Sequence, residues 1–328
     1  MDPRIRLEKV SRDSSKQNIN LNDQVNRDLA RSPLRGSRAL VYRGMMQSTG
    51  KKVAIKVFRF GPPSEDKSVK RVLHEVTAWS KLRHRNIVQV SGIATTFDYT
   101  ISLITEWVDV GSAINYVQNR TVDPRPLLVD VAYGLSYLHG QRQPIVHGDL
   151  RGKNVMIAQD GRALVADYGV ATLVDAVFDN NVAVSSFGGA CIRWMAPETM
   201  ETYGELTIKD DIWAYGMLVL ELLTTRPPFH EIPGLRAVIT RIAQGPPGRP
   251  SDKETCNRLT DPWWSVCNAC WNRVPSQRPP MSEILLRLQQ LSLILEMNGP
   301  WGYSIEAIIA SLDWSYVAYL EELIDLPS

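Results

Sequence analysis

A chain of 328 residues exceeds one average domain, and 44% hydrophobic with 22% charged residues is ordinary for a globular protein with a sizeable core. A formal net charge of +2 gives no reason to invoke nucleic acid or a membrane surface as the main partner, and no apolar run reaches membrane-spanning length; the longest, Ile212 to Leu223, is interrupted by Glu221. Four cysteines make no disulfide framework for a chain this size and Met1-Asp2-Pro3-Arg4 is too charged to open a secretory signal, so a reducing, cytoplasmic compartment is expected.

In chain order, residues 1 to 25 are polar, mixed in charge and poor in large apolar groups, which predicts a mobile extension. Val41-Tyr42 and Val53 to Phe60 read as strands separated by a turn containing Gly50, with Lys56 embedded between Ile55 and Val57. A lysine in an apolar strand either snorkels to solvent or is buried with an anionic partner. The next element offers one. From Asp66 to Leu82 the residues Val69, Val72, Val76 and Trp79 recur at helical spacing, and Glu75 sits on or beside that face. Pairing Lys56 with Glu75 would relieve the cost of burying either charge alone. Thr100 to Val108 reads as a strand leading into a connector, and Leu127, Leu128, Val131, Leu135 and Leu138 mark an amphipathic helix ending near Gly140.

His147 to Gly169 carries the chemistry. Val155 to Ile157 form one short apolar strand, Asp160-Gly161 the turn and Ala163 to Ala166 the return strand. With Asp160-Gly161 as a two-residue loop, Asn154 lies opposite Asp167 where the strands end, and Asp149 in the preceding polar loop can reach the same place. Two carboxylates and an amide suit a hard cation such as Mg²⁺; the competing reading is an exposed hairpin with ordinary polar flanks. Val170 to Ile192 shows no clear periodicity and carries Thr172, Ser185 and Ser186, as expected of a functional or disordered loop. Cys267-x-x-Cys270 has no second ligand pair and lies among Trp263, Trp264 and Trp271, which favours small buried hydrophobes over zinc or redox work. Ser304 to Leu326 mixes apolar and aromatic residues with five acids and no base, either a docked helix or a partner-binding segment.

The order His147-x-Asp149-Leu150-x-x-x-Asn154, a hairpin, then Asp167-x-Gly169 resembles the catalytic loop and metal-binding triplet of eukaryotic protein kinases. Val53-Ala54-Ile55-Lys56 resembles the family's V-A-I-K strand and Arg193 to Glu198 its A-P-E segment. Asp211-Ile212-Trp213-Ala214-Tyr215-Gly216 resembles the D-x-W-x-x-G helix start, and Gln277-Arg278-Pro279 the late arginine. The flavour of W-M-A-P-E and H-G-D-L is that of the tyrosine-kinase-like branch, including fungal members, over about residues 30 to 295.

The resemblance implies an α+β fold of two lobes. A small β-rich N-lobe with one key helix would span about 26–106 and a larger, mainly helical C-lobe about 109–296, followed by an acidic amphipathic tail over 297–328. It implies ATP and Mg²⁺ as cofactors and transfer of the γ-phosphoryl group to a hydroxyl of a protein substrate, serine or threonine by branch. By resemblance Asp149 accepts or orients the hydroxyl, with Arg151 two residues on. Asn154 and Asp167 hold Mg²⁺, and Lys56, fixed by Glu75, positions the phosphates. Gly36 and Val41 cover the nucleotide, Ala54 and Met156 flank it, Thr105 backs the pocket, and Glu106 to Val108 form the hinge that meets adenine. In the family the late arginine pairs with the A-P-E glutamate, here Arg278 with Glu198, and Asp211 anchors the catalytic loop. The tail is a candidate surface for a regulatory protein.

Several residues depart from the pattern. The glycine loop G-x-G-x-x-G falls on Leu34, Gly36 and Ala39, so only its middle glycine is present; Gly148 replaces the arginine before Asp149, and Tyr168 the triplet phenylalanine. Arg151 stands where serine/threonine kinases have lysine, and Cys191 where they have threonine and tyrosine kinases proline. Leu34, Ala39 and Cys191 favour the rival reading of a pseudokinase scaffold, whereas Lys56, Glu75, Asp149, Asn154 and Asp167 favour catalysis. Small-molecule phosphotransfer is disfavoured by the joint presence of Glu198, Asp211 and Arg278.

Overall fold

The computed structural model describes residues 3–36, 39–59, 65–177, 191–202 and 206–297. An N-terminal lobe is built on a six-stranded antiparallel sheet in the order β1-β3-β4-β6-β5, from β1 (Val25–Arg27), β3 (Ala39–Met46), β4 (Lys52–Phe58), β5 (Val90–Ala94) and β6 (Ser102–Glu106), with β2 (Leu34–Arg35) pairing on β3. The two faces of β4 do different work because side chains alternate along a strand. Val53, Ile55 and Val57 pack with Leu21, Val25 and Ile104 on the outer face, while Ala54, Lys56 and Phe58 turn toward the cleft between the lobes.

The first residues do not form an extension. Helix α1 (Pro3–Lys16) buries Leu7, Val10 and Ser14, spaced three and four residues apart on one face. Leu7 and Val10 join one apolar cluster with Val69, Val72 and Val76 of α2 (Asp66–Trp79), and Lys9 Nζ lies 2.6 Å from Asp66 Oδ2. Beyond α1, Ile19 bridges to β5: Ile93 N–H donates to Ile19 O and Leu21 N–H to Ile93 O, both at 2.8 Å. The helix is illegible in the sequence because its apolar stripe is two residues wide; α2 supplies the other half of the interface.

The C-terminal lobe packs around a buried post. Helices α3 (Ala113–Tyr116), α4 (Arg125–His139), α5 (Val170–Val177) and α6 (Pro197–Thr202) precede α7 (Ile208–Thr224), in which every residue from Asp211 to Thr224 is buried. A capping box starts α7: Thr207 Oγ1 accepts from Lys209 N–H and Asp210 Oδ2 from Thr207 N–H at 2.7 Å. Arg278, its side chain wholly buried, holds Glu198 through both oxygens, with Nη2 2.8 Å from Oε2. Cys267 and Cys270 are fully buried; burial pushes the Cys270 thiol up to about 12, and no group of three or more His, Cys, Asp or Glu suited to a metal occurs among the described residues. No helix among them is long and apolar enough to cross a membrane. Ser185, Ser186 and the tail beyond Met297 lie outside the described residues.

Val10 is fully buried and Glu8 exposed on the same helix. Val10→Asp is therefore expected to lower the unfolding free energy by on the order of 3 kcal/mol and Glu8→Ala by no more than about 0.5 kcal/mol. Equal, negligible effects in denaturant titration would restore the picture of a loose extension.

Candidate active site

Between the lobes lies a cleft of about 650 Å³. Val41 and Ala54 face it from the sheet and Met156 from β7 (Val155–Ile157), with Thr105, Glu106 and Val108 along the edge where the chain crosses between lobes. Gly36, Lys56, Asp149, Arg151, Asn154 and Asp167 also line it, so the cleft gathers every sequence-predicted site residue except Glu75. Sequence reasoning missed Phe58, Val88, Asp109 and Ala166 in its wall. Asp109 ties down the crossing: its Oδ1 accepts from Trp107 Nε1–H at 3.0 Å and its Oδ2 lies 2.7 Å from Lys52 Nζ. Phe58 was legible as the last cleft-facing residue of β4, two positions beyond Lys56.

The catalytic loop is held from below by Asp211 at the start of α7. Its carboxylate accepts from His147 N–H at 2.7 Å and Gly148 N–H at 2.9 Å, and lies 2.9 Å from His139 Nε2. Gly148 needs to be glycine: its φ is +75°, and a Cβ would meet Leu206 Cδ1 at 2.9 Å and Ala171 Cβ at 3.0 Å. Burial lowers the pKa of His147 and keeps it neutral, with Nδ1 accepting from Asp149 N–H at 3.3 Å. Arg151 faces Asp149, its Nε 3.2 Å from Oδ1 and its Nη2 3.3 Å from Oδ2.

The hairpin differs from expectation by one residue. Val155 pairs with Val165, Met156 with Leu164 and Ile157 with Ala163, while Ala158 N–H donates to Arg162 O. The loop is therefore the three residues Gln159 to Gly161, with Gly161 at φ +86°, a geometry that glycine in the last loop position allows. Asn154 is consequently aligned with Ala166, whose N–H donates to Asn154 O at 2.9 Å, and not with Asp167. Asp167 reaches the cleft because its own backbone is left-handed, at φ +61°. Its carboxylate is in direct contact with the Lys56 ammonium.

That contact corrects a second expectation. Lys56 pairs with Asp167, and Glu75, half-buried on α2, makes no ion pair with it. The stretch read as an aperiodic loop begins as α5, whose Val170, Leu173 and Val174 pack into the apolar cluster that contains Val72, Val76 and Trp79 of α2. Trp79 meets the Tyr168 ring edge-on at 6.2 Å, and Tyr168 Oη donates to Val88 O at 3.1 Å. Burial brings the Lys56 pKa down to about 8, so it is still mostly cationic at neutral pH and its charge needs an anion. The nearest carboxylate satisfies it.

The donor set fits Mg²⁺. Asn154 Nδ2 donates to Asp149 O at 2.8 Å, which leaves its amide oxygen as the atom for a cation. Asp167 Oδ1 is buried and, its contact with the Lys56 ammonium apart, has no hydrogen-bond partner. One amide and one carboxylate are too few for an all-protein cage, which suits a cation that keeps waters and phosphate oxygens.

A β-rich lobe and a helical lobe closing on a cleft that holds Lys56, Asp149, Asn154 and Asp167 define the protein-kinase fold. Residues 31–288 match the family model for protein tyrosine and serine/threonine kinases, and the chain belongs to that family. It is 30% identical over 273 residues to the serine/threonine-protein kinase TNNI3K of Homo sapiens, covering 81% of this chain and 31% of that protein. It is 30% identical over 298 residues to a probable serine/threonine-protein kinase of Dictyostelium discoideum, covering 85% and 57% of the two chains. With the serine/threonine-protein kinase STY46 of Arabidopsis thaliana it shares 31% identity over 264 residues, covering 78% and 43%. The chain thus spans about a third to just over half the length of these relatives.

If Asp167 is the anion that stabilises Lys56, Asp167→Asn is expected to cost about 1–3 kcal/mol of unfolding free energy and Glu75→Gln no more than about 0.5 kcal/mol. A larger loss for the Glu75 variant in denaturant titration would assign the pair to Glu75 instead.

Proposed function

We propose that this chain is a catalytically active protein kinase that transfers the γ-phosphoryl group of ATP to serine or threonine hydroxyls of a protein substrate. The observation that carries the reading is the gathering of Lys56, Asp149, Asn154 and Asp167 in one cleft, beside an A-P-E segment anchored by the Arg278–Glu198 pair. The hydroxyl class is supported by the names of the relatives, each a serine/threonine-protein kinase.

Asp149 accepts the proton of the incoming hydroxyl, and Arg151, already against that carboxylate, keeps it oriented. Lys56 binds phosphate oxygens once Asp167 no longer occupies it. Asn154 and Asp167 would hold Mg²⁺, which would supply positive charge against the phosphate oxygens. Val41, Ala54 and Met156 enclose the adenine ring between apolar surfaces, Thr105 backs the pocket, and Glu106 to Val108 offer backbone groups to its edge. Gly36 follows β2, and its N–H donates to Ala39 O at the start of β3 at 2.9 Å, which places the one glycine of the lid at the mouth of the cleft.

A scaffold without transfer is the second reading, favoured by the Lys56–Asp167 contact and by Leu34 and Ala39 in the lid. Phosphate transfer from Mg-ATP to generic protein and peptide substrates, with the products mapped by mass spectrometry, separates the two. Asp149→Ala is expected to lower kcat by about 10²–10⁴ while leaving nucleotide affinity within a few-fold; no transfer by the folded, nucleotide-bound wild-type chain would establish the scaffold. Because Gly148 offers no cation to a phosphorylated loop, Ser185→Ala and Ser186→Ala are expected to change kcat less than about twofold. A large loss in either would show that loop phosphorylation activates the enzyme by another route.

A further inference from the structure

We infer that the N-terminal lobe carries a docking groove for this chain's own acidic tail: a basic trough between α1 and α2 that takes tail carboxylates on Lys70 and Lys81. The groove shares no lining residue with the cleft, so the inference goes beyond the phosphotransfer reading and does not rest on it.

The groove has a volume of about 490 Å³, room for a few side chains, with the buried Leu73 of α2 in its lining. Lys16 stands on the α1 side and Lys70 on the α2 side, with Lys81 just past the end of α2; all three are exposed. The single acid in the lining, Asp13, is taken up by Lys16 at 2.9 Å. Asp66, one turn before Lys70, is held by Lys9 at 2.6 Å. Neither Lys70 nor Lys81 has a salt bridge among the described residues. α1 and α2 together carry eight lysines and arginines against four acids, so their own acids leave a surplus of positive charge on the walls.

Chemistry and position both point to the tail as the occupant. Its acids are Glu306, Asp313, Glu321, Glu322 and Asp325, no base accompanies them, and three of the five fall between Glu321 and Asp325. Ile305, Ile308, Leu312, Tyr316, Tyr319 and Leu323 recur at spacings of three and four, which supplies apolar side chains for Leu73 and the lysine stems alongside acids for the ammonium groups. The helix Met281–Met297 leads into the tail and packs along α4, where Gln289 Nε2–H donates to Tyr133 Oη at 2.7 Å. One turn further along α4, Tyr137 Oη accepts from Arg83 N–H at 3.1 Å and its ring stacks on His84 at 4.8 Å. The helix that leads into the tail thus rests on the same stretch of α4 as the loop that carries Lys81. The 31 residues after Met297 span up to about 100 Å when extended and about 45 Å as a helix, more than the width of a small domain at about 30 Å. Single exposed ion pairs are weak and screened by salt, so several act together with the apolar contact, and raising the ionic strength loosens it.

The test treats the full chain with a zero-length carbodiimide cross-linker, which joins lysine amines to carboxylates in direct contact, at about 20 mM and about 500 mM salt. Monomer and any dimer are separated, the linked peptides are identified by mass spectrometry, and hydrogen exchange of α1 is followed alongside. Three further chains are compared: Glu321→Lys/Glu322→Lys/Asp325→Lys in the tail, Lys70→Glu/Lys81→Glu in the groove, and the two sets combined. In the wild-type monomer at low salt, Lys70 or Lys81 is expected to be linked to the tail, with a yield about fivefold lower at high salt. Reversing charge on either side alone is expected to speed exchange of the α1 amides about threefold or more, and reversing both sides to restore the slow exchange. Absence of tail links in the wild type at low salt, or equal exchange in all four chains, would overturn the docking. Links confined to the dimer would give the groove to the tail of a second copy and overturn the contact within one chain. No readout depends on phosphotransfer, so a wild type that transfers no phosphate overturns the kinase reading alone.

Discussion

The catalytic loop depends on one buried helix and the acids it presents. Asp211, 1% exposed, takes up the His147 and Gly148 N–H groups at the start of the loop, and Glu221 takes up Gly152 N–H further along it. Ten residues of α helix separate the two, about 15 Å of rigid rod, so the loop spans two fixed points. Buried peptide N–H groups demand partners, and here both demands are met by carboxylates from an element that has no other freedom, because Trp213 and Tyr215 between them are fully buried. Asp149 inherits its position from this arrangement.

The upper half of the cleft is organised by charge neutralisation. Lys56 and Asp167 satisfy each other, and so do Arg151 and Asp149; each cation that would serve a phosphate or a hydroxyl substrate covers an acid in its absence. Glu75 makes no ion pair with Lys56, and α5 packs against α2 just after the Asp167-Tyr168-Gly169 turn. Helix α1 also bears on α2, through Leu7 and Val10, so α2 packs against two helices that the sequence pattern does not display.

The departures in the family's motifs find different physical settings. Gly148 removes a cation, yet its left-handed backbone and close neighbours Leu206 and Ala171 give the glycine a reason of its own. Tyr168 keeps the aromatic ring of the usual residue against Trp79 and satisfies its hydroxyl on Val88 O, so the change costs nothing in polar bookkeeping. Leu34 is exposed on the short β2 and pairs with Val41; its backbone belongs to the sheet, where a flexible glycine would otherwise stand.

Motif order alone made the two lobes, the cleft and the identity of most of its polar residues legible, because Lys56, Asp149, Asn154 and Asp167 each sit in a local pattern whose neighbours name them. Periodicity located α2 and α4, whose apolar faces are wide enough to show a helical repeat without knowledge of what they pack on. It failed at α1 and α5, where a stripe of two or three apolar residues becomes a helix only when a second element completes the interface. The hairpin register escaped by one residue because Asp160-Gly161 serves two loop lengths equally well, and the choice between them lies in the twist of the strands and the left-handed turn at Asp167. Which acid Lys56 pairs with, and that Glu221 takes up Gly152 N–H, were beyond any reading of sequence: Coulomb attraction and hydrogen bonding act over a few ångströms in space, and only the packed chain decides which charges and donors come within that reach.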